Sequence, residues 1–218
     1  MPDPKWRMRW IIKPLLWAAC LTPAGMLGYW ALTDGLGANP IEKITLWTGW
    51  WTLVLLMVTL SVTPIRRITG WNAIIQLRRP IGLFAFFYVC LHFVTYIVLD
   101  QFFAFGYIVE DIIERPYITV GFTAFLLLIP LAATSTKAMI RRLGRRWQRL
   151  HRLIYVSAAL GTLHFFWKVK ADTREPLLFV AILAVLLLFR LPWILGLLSR
   201  RSSPRQKVPS TAQPRPTA

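Results

Sequence analysis

No Asp or Glu interrupts any long apolar run of this chain, and acids are scarce overall, 9 against 26 Lys and Arg. A proton pathway through the apolar parts would therefore run on histidine alone, whereas such relays usually pair histidine with carboxylates. Cysteine is nearly absent too. Cys20 and Cys90 both fall within apolar runs, where a structural disulfide is out of place. There is no CxxC pair for thiol redox chemistry and no CxxCH for covalent haem attachment. No Rossmann glycine pattern occurs, and the segments between the apolar runs are too short to fold a flavin-binding domain. No internal repeat is evident.

What the chain has in quantity is apolar surface. Of its 218 residues 56% are hydrophobic, and the mean hydropathy is +0.51, more than a soluble domain of this length needs. A bilayer core of about 30 Å takes about twenty helical residues at about 1.5 Å each. Runs of that kind cover roughly 14–32, 45–63, 81–99, 117–134, 150–167 and 176–191, the last interrupted at its end by Arg190 and Pro192. The fold expected is an all-α integral membrane protein, a six-transmembrane-helix bundle. Residues 1–13 form an N-terminal arm, 14–198 the six-span domain, and 199–218 a basic, Pro- and Ser-rich tail without apolar periodicity, read as disordered. Lys5, Arg7, Arg9 and Lys13 precede the first run as in a secretion signal. That run exceeds the signal core of about 7–15 residues, and no small-residue cleavage site follows, so it is read as a retained span.

The net charge of +17 would suit a nucleic-acid partner if it formed a patch, but its distribution points to topology instead. Segments 1–13, 64–80, 135–152 and 190–218, which fall on one side of a six-span bundle, hold 21 of the 26 basic residues. Segments 33–44, 100–116 and 168–175 hold the other 5, and with them eight of the nine acids. Basic loops are retained in the cytoplasm, which places both termini there. The cluster "KAMIRRLGRRWQR" is suited to anionic lipid head groups. No nucleic-acid partner is expected.

The three histidines stand inside or at the edge of apolar runs. His92 lies seven residues before the outer end of the third run and His164 four residues before Lys168 at the end of the fifth, roughly 10 Å and 6 Å below the outer boundary. Both runs point the same way, so two imidazoles reach similar depth on different helices. Neutral imidazole is a common iron ligand, and a planar macrocycle between two helices takes one nitrogen on each face. Haem ligation is the leading reading of this pair. A proton relay and structural hydrogen bonding remain the alternatives.

His151 is placed differently. On a straight helix it lies about 20 Å along the axis from His164 and about 220° around it. The third run offers Arg78 and Arg79 at the matching depth. Arginine does not ligate iron but pairs with a haem propionate. His151 either serves a second, inner haem or caps the helix at the interface.

The segments "GLGANPIEKIT", "LHFVTY", "ERPYITVG", "ATSTKAMIRRLG", "WQRLHRLIY" and "LHFFWKVK", in this order and spacing from about residue 30 to 190, resemble the MsrQ (YedZ) family within the ferric-reductase-like transmembrane group. The family's histidines fall on His92, His151 and His164. The resemblance implies a b-type haem, an associated FMN, and electrons drawn from the quinone pool in a bacterial inner membrane. It also implies delivery to a periplasmic molybdopterin-dependent reductase that repairs methionine sulfoxide in proteins. On that reading the chain is an electron conduit, and the sulfoxide chemistry belongs to the partner. Within the same fold, a ferric or quinone-linked cytochrome b reductase is the alternative. From another class, the alternative is a haem-free transporter or assembly factor using a histidine relay.

Overall fold

The computed structural model describes residues 4–190, so the tail 199–218 and the end of the sixth apolar run lie outside the described residues. The described elements are all helical. After a leading turn, Pro4–Arg7, come α1 (Met8–Leu32), α2 (Pro40–Thr69), α3 (Asn72–Asp100), α4 (Phe105–Glu114), α5 (Pro116–Ala133), α6 (Lys137–Leu143), α7 (Arg145–Leu150), α8 (Leu153–Lys168) and α9 (Arg174–Leu188). Four of these, α1, α2, α3 and α5, are long and apolar enough to cross a membrane. Each of the six expected runs corresponds to a helix, but α8 and α9 span only 16 and 15 residues.

Local chemistry sets the helix ends. Asn39 caps α2, its side chain accepting from the Glu42 amide, with Pro40 at the first helical position where no amide is needed. Gly70 ends the helix at φ 70°, a left-handed conformation open to glycine. Pro116 opens α5 in the same manner as Pro40. The segments expected as plain loops carry structure of their own. The outer 100–116 connection contains α4, and the inner 135–152 connection folds as α6 and α7 around Gly144.

The two most extensive helix pairings are α2 with α3 and α5 with α8. Leu53, Leu56 and Leu60 of α2, Ile81, Ala85 and Tyr88 of α3, Leu128 of α5 and Ala158 of α8 form the centre of the core. Ser157 on α8 donates to the Ala124 carbonyl of α5 at 2.9 Å. The outer surface of the bundle is apolar, with Leu32, Ile68, Val94 and Leu188 all more than half exposed. An apolar exterior of this extent belongs in lipid rather than in water.

Prolines inside the helices free backbone groups that lipid cannot satisfy. Pro23 breaks the α1 ladder, and the fully buried Tyr88 hydroxyl spans the break. It accepts from the Ala24 amide at 3.0 Å and donates to the Cys20 carbonyl at 2.7 Å. Trp47 donates to the Pro23 carbonyl. In α2, Pro64 cannot donate to Leu60 four residues earlier, and the Arg190 guanidinium takes that carbonyl instead. Arg190, just past α9, is only 4% exposed; this bond and the Tyr155 ring 4.8 Å away are its contacts, while Nε and Nη1 have no hydrogen-bond partner among the described residues.

Candidate functional site

The structure brings His92 and His164 together. Their ring centres lie 6.2 Å apart and the ring planes are nearly perpendicular, at 80°. His92 Nδ1 is hydrogen-bonded to the Thr45 carbonyl at 2.9 Å, and His164 Nδ1 to the Tyr117 carbonyl at 2.7 Å. A carbonyl only accepts, so Nδ1 carries the proton in both rings. Nε2 is then the basic nitrogen of each, the arrangement by which a backbone carbonyl orients a metal-ligating histidine. Metal–nitrogen bonds of about 2 Å on each side, plus the distance from each nitrogen to its ring centre, add up to a separation close to the one observed. The donor set and its spacing therefore fit a haem iron, which these two imidazoles would hold between them.

Glycine makes room for both rings. A Cβ at Gly49, one turn beyond Thr45, would stand 3.1 Å from His92 Cε1. A Cβ at Gly121, one turn beyond Tyr117, would stand 2.6 Å from His164 Nδ1. Each imidazole thus packs flat on bare backbone, as close approach demands. The arrangement occurs twice. A shift of 72 residues takes Thr45 to Tyr117, Gly49 to Gly121 and His92 to His164, with 47 residues between carbonyl and histidine in each copy. The sequence showed no repeat because the shared features are a backbone carbonyl, a glycine and a histidine, and the apolar residues between them are not constrained to match.

A single cavity contains both imidazoles. Its inner part is apolar, with Leu53, Leu56, Val89, Phe93, Phe125 and Leu128 on its walls. Charged and polar side chains, Asp100, Asp111, Arg115 and Lys168, line it as well. Asp111, carried in by α4, accepts from the Tyr96 hydroxyl at 3.1 Å and from Gln101 at 3.3 Å, and pairs with Arg115 at 3.1 Å. Reading 100–116 as a loop hid Asp111. The sign was present: Ile108, Asp111 and Ile112 recur at the i, i+3, i+4 spacing of one helix face, which carries Asp111 inward with the two isoleucines.

His151 does not join this pair. The helix that carries His164 begins only at Leu153, so His151 belongs to the preceding turn, at His151 and Arg152 between α7 and α8, and not to one straight helix with His164. His151 ends α7, stacks on Trp147 at 3.9 Å, and its Nε2 meets the Thr134 hydroxyl at 3.0 Å. Arg78 is half-buried and within electrostatic reach of His151, while Arg79 is exposed. The same 72-residue shift that relates the two histidine sites takes Arg79 to His151. Among the described residues no group of three or more His, Cys, Asp or Glu side chains gathers as a metal site would, so the histidine pair stands without protein carboxylate or thiolate ligands.

The chain matches the family model described as "Ferric reductase like transmembrane component" over residues 48–162, which contains His92 and His151 and stops two residues short of His164. It is similar to the protein-methionine-sulfoxide reductase heme-binding subunit MsrQ of Herminiimonas arsenicoxydans, 56% identical over 186 residues, 84% of this chain and 85% of the relative. The protein of the same name from Xanthomonas euvesicatoria is 48% identical over 209 residues, 93% of this chain and 95% of the relative. That from Ralstonia nicotianae is 50% identical over 186 residues, 84% and 86%.

Proposed function

The chain belongs to the MsrQ family of heme-binding subunits of protein-methionine-sulfoxide reductase, within the ferric-reductase-like transmembrane proteins, and from that premise we propose that it carries electrons across a membrane on a b-type haem held between His92 and His164. The donor is the quinone pool, and the acceptor is the periplasmic, molybdopterin-dependent sulfoxide reductase subunit. The membrane is the bacterial inner membrane, crossed six times with both termini in the cytoplasm and with anionic lipid against the basic inner loops.

The observation that carries the reading is the pair of hydrogen bonds that His92 and His164 donate through Nδ1 to the Thr45 and Tyr117 carbonyls. They fix both tautomers and leave two basic nitrogens to one cavity. When bound, haem iron supplies reversible one-electron chemistry. The chain's own part is to hold the two rings in place, to keep the centre dry behind Leu53, Phe93, Phe125 and Leu128, and to bring its ligands near the outer ends of α3 and α8. The resemblance to this family also implies FMN; no side chain among the described residues is assigned to it or to quinone. The test is the visible spectrum of the detergent-purified protein. A reducible, low-spin b-type spectrum is expected, and a colourless, natively helical protein from haem-sufficient cells would refute the reading.

Topology is tested separately. Asn39, Glu110 and Asp172 face the periplasm in this scheme, on the strength of the 21-to-5 division of basic residues. With Cys20 and Cys90 replaced, an impermeant maleimide on intact spheroplasts labels Asp172→Cys and spares Gln206→Cys. The opposite pattern reverses the orientation.

A second, inner haem is held by His151 in this proposal, with the propionate contact falling to half-buried Arg78 in preference to exposed Arg79. His151→Ala should then remove about half of the bound haem and leave the low-spin signal of the outer pair. A wild-type haem-to-protein ratio of one, unchanged in the variant, would show instead that His151 only closes the Trp147–Thr134 corner.

A further inference from the structure

The cavity that holds the histidine pair brings together two of the few cations on its side of the bundle. Segments 33–44, 100–116 and 168–175 contain only 5 basic residues among eight acids. Two of those, Arg115 and Lys168, line this cavity. Lys168 follows His164 by one helical turn on the same helix, and its ammonium stands 6.0 Å from the centre of the Tyr117 ring. Tyr117 in turn lies against the His164 ring, 6.0 Å between centres and 27° between planes. Arg115 stands two residues before Tyr117, with Pro116 between them, as the N-cap of the helix that carries Tyr117. Lys168 is thus tied through Tyr117 to the imidazole one turn before it, and Arg115 stands at the start of the helix that presents Tyr117.

Neither cation is fully matched by protein. Asp111 meets Arg115 at Nε, 3.1 Å away, while the Arg115 side chain stays more than half exposed, and among the described residues no carboxylate pairs with the exposed Lys168 ammonium. The Asp111 carboxylate is further engaged by Tyr96 and Gln101. The rest of the cavity wall is mostly hydrocarbon and aromatic. A haem is amphipathic, with an apolar ring and two carboxylates along one edge. In a site with an apolar inner wall and two incompletely paired cations near the histidine, the carboxylate edge has one favourable direction.

We propose that Arg115 and Lys168 form the carboxylate subsite of the outer haem, pairing with its two propionates and turning that edge toward the ends of α3, α5 and α8 that carry the acidic loops. The inference rests on the histidine pair holding a haem. It adds the orientation of the ring within the site and places the propionate edge where a soluble electron acceptor can approach. Arg115 and Lys168 are positioning residues: they touch the cofactor's periphery and leave the iron ligands unchanged.

The test uses the holoprotein, produced with haem carrying carbon-13 in its propionate carboxyls, and reads the reduced-minus-oxidised infrared difference spectrum. Arg115→Gln and Lys168→Gln should each shift the isotope-sensitive carboxylate bands while the visible spectrum stays low-spin. Lys170→Gln, on the same outer segment but not lining the cavity, should leave them in place. Bands unchanged in both lining variants overturn the proposal, as do bands moved equally by Lys170→Gln. Absence of any haem signal in the wild type is a different result, because it refutes the haem reading itself. If both lining variants fail to retain haem, Lys168→Arg and Arg115→Lys decide the matter: retained charge should restore binding, and failure to restore it counts against pairing.

Discussion

His92→Ala and His164→Ala should each abolish most of the low-spin haem signal while leaving a folded, helical protein. Each substitution removes the only imidazole on its side of the cavity and cannot be compensated locally, since the third histidine sits at the α7 corner against Trp147 and Thr134. The structural loss is small by comparison. Each variant forfeits one hydrogen bond to a backbone carbonyl, a net contribution of about 1 kcal/mol, against a core formed largely by residues elsewhere on α2, α3, α5 and α8. Loss of ligation and loss of fold are therefore separable. The measurement is the low-spin fraction together with helical content, and the addition of imidazole supplies a further check: free imidazole entering the space left by the missing ring should restore part of the low-spin spectrum. If both variants keep the wild-type signal, the ligands are not this pair.

The membrane character and the histidine pair could be read from the chain because both depend on one-dimensional quantities. Runs of about twenty apolar residues locate helices whatever their packing, and depth along two parallel helices follows from residue counts, which is how His92 and His164 were brought to one level. What resisted was anything that depends on contact across helices. Thr45 and Tyr117 act through their carbonyls, so their side chains give no sign of the role. Gly49 and Gly121 are two of 12 glycines, distinguished only by the ring each one faces. The surroundings of His151 were hidden for a related reason, since a helix wheel cannot register that the helix of His164 begins only at Leu153. Arg190 reads in sequence as a break in the sixth apolar run. Its one side-chain hydrogen bond follows from Pro64, 126 positions earlier, which leaves the Leu60 carbonyl for the guanidinium to take.

The two glycines give the most discriminating expectation. Gly121→Ala should lose most of its haem or convert it to a high-spin form, Gly49→Ala should retain most of it, and Gly82→Ala should behave as wild type. The ranking follows from distance. At Gly121 a methyl would meet His164 Nδ1 at 2.6 Å and both Cε1 and Cγ at 2.9 Å, closer than non-bonded atoms approach. The ring can escape only by leaving α5, which breaks its hydrogen bond to Tyr117 and displaces the opposite nitrogen from its place in the cavity. At Gly49 the corresponding contacts are 3.1 Å and 3.2 Å, a conflict relieved by a movement of a few tenths of an ångström. At Gly82 the nearest atom is the Thr59 methyl at 3.6 Å, an ordinary contact. Helix propensity works in the other direction, because alanine in a helix interior is favoured over glycine by about 1 kcal/mol. A loss of haem confined to Gly121→Ala therefore reports the displaced imidazole and not a weakened helix. Haem-to-protein ratio and low-spin fraction, measured on the three variants side by side, decide it. Wild-type values for Gly121→Ala, or an equal loss at Gly82→Ala, would show that the close seat of His164 on bare backbone is not what holds the ligand in position.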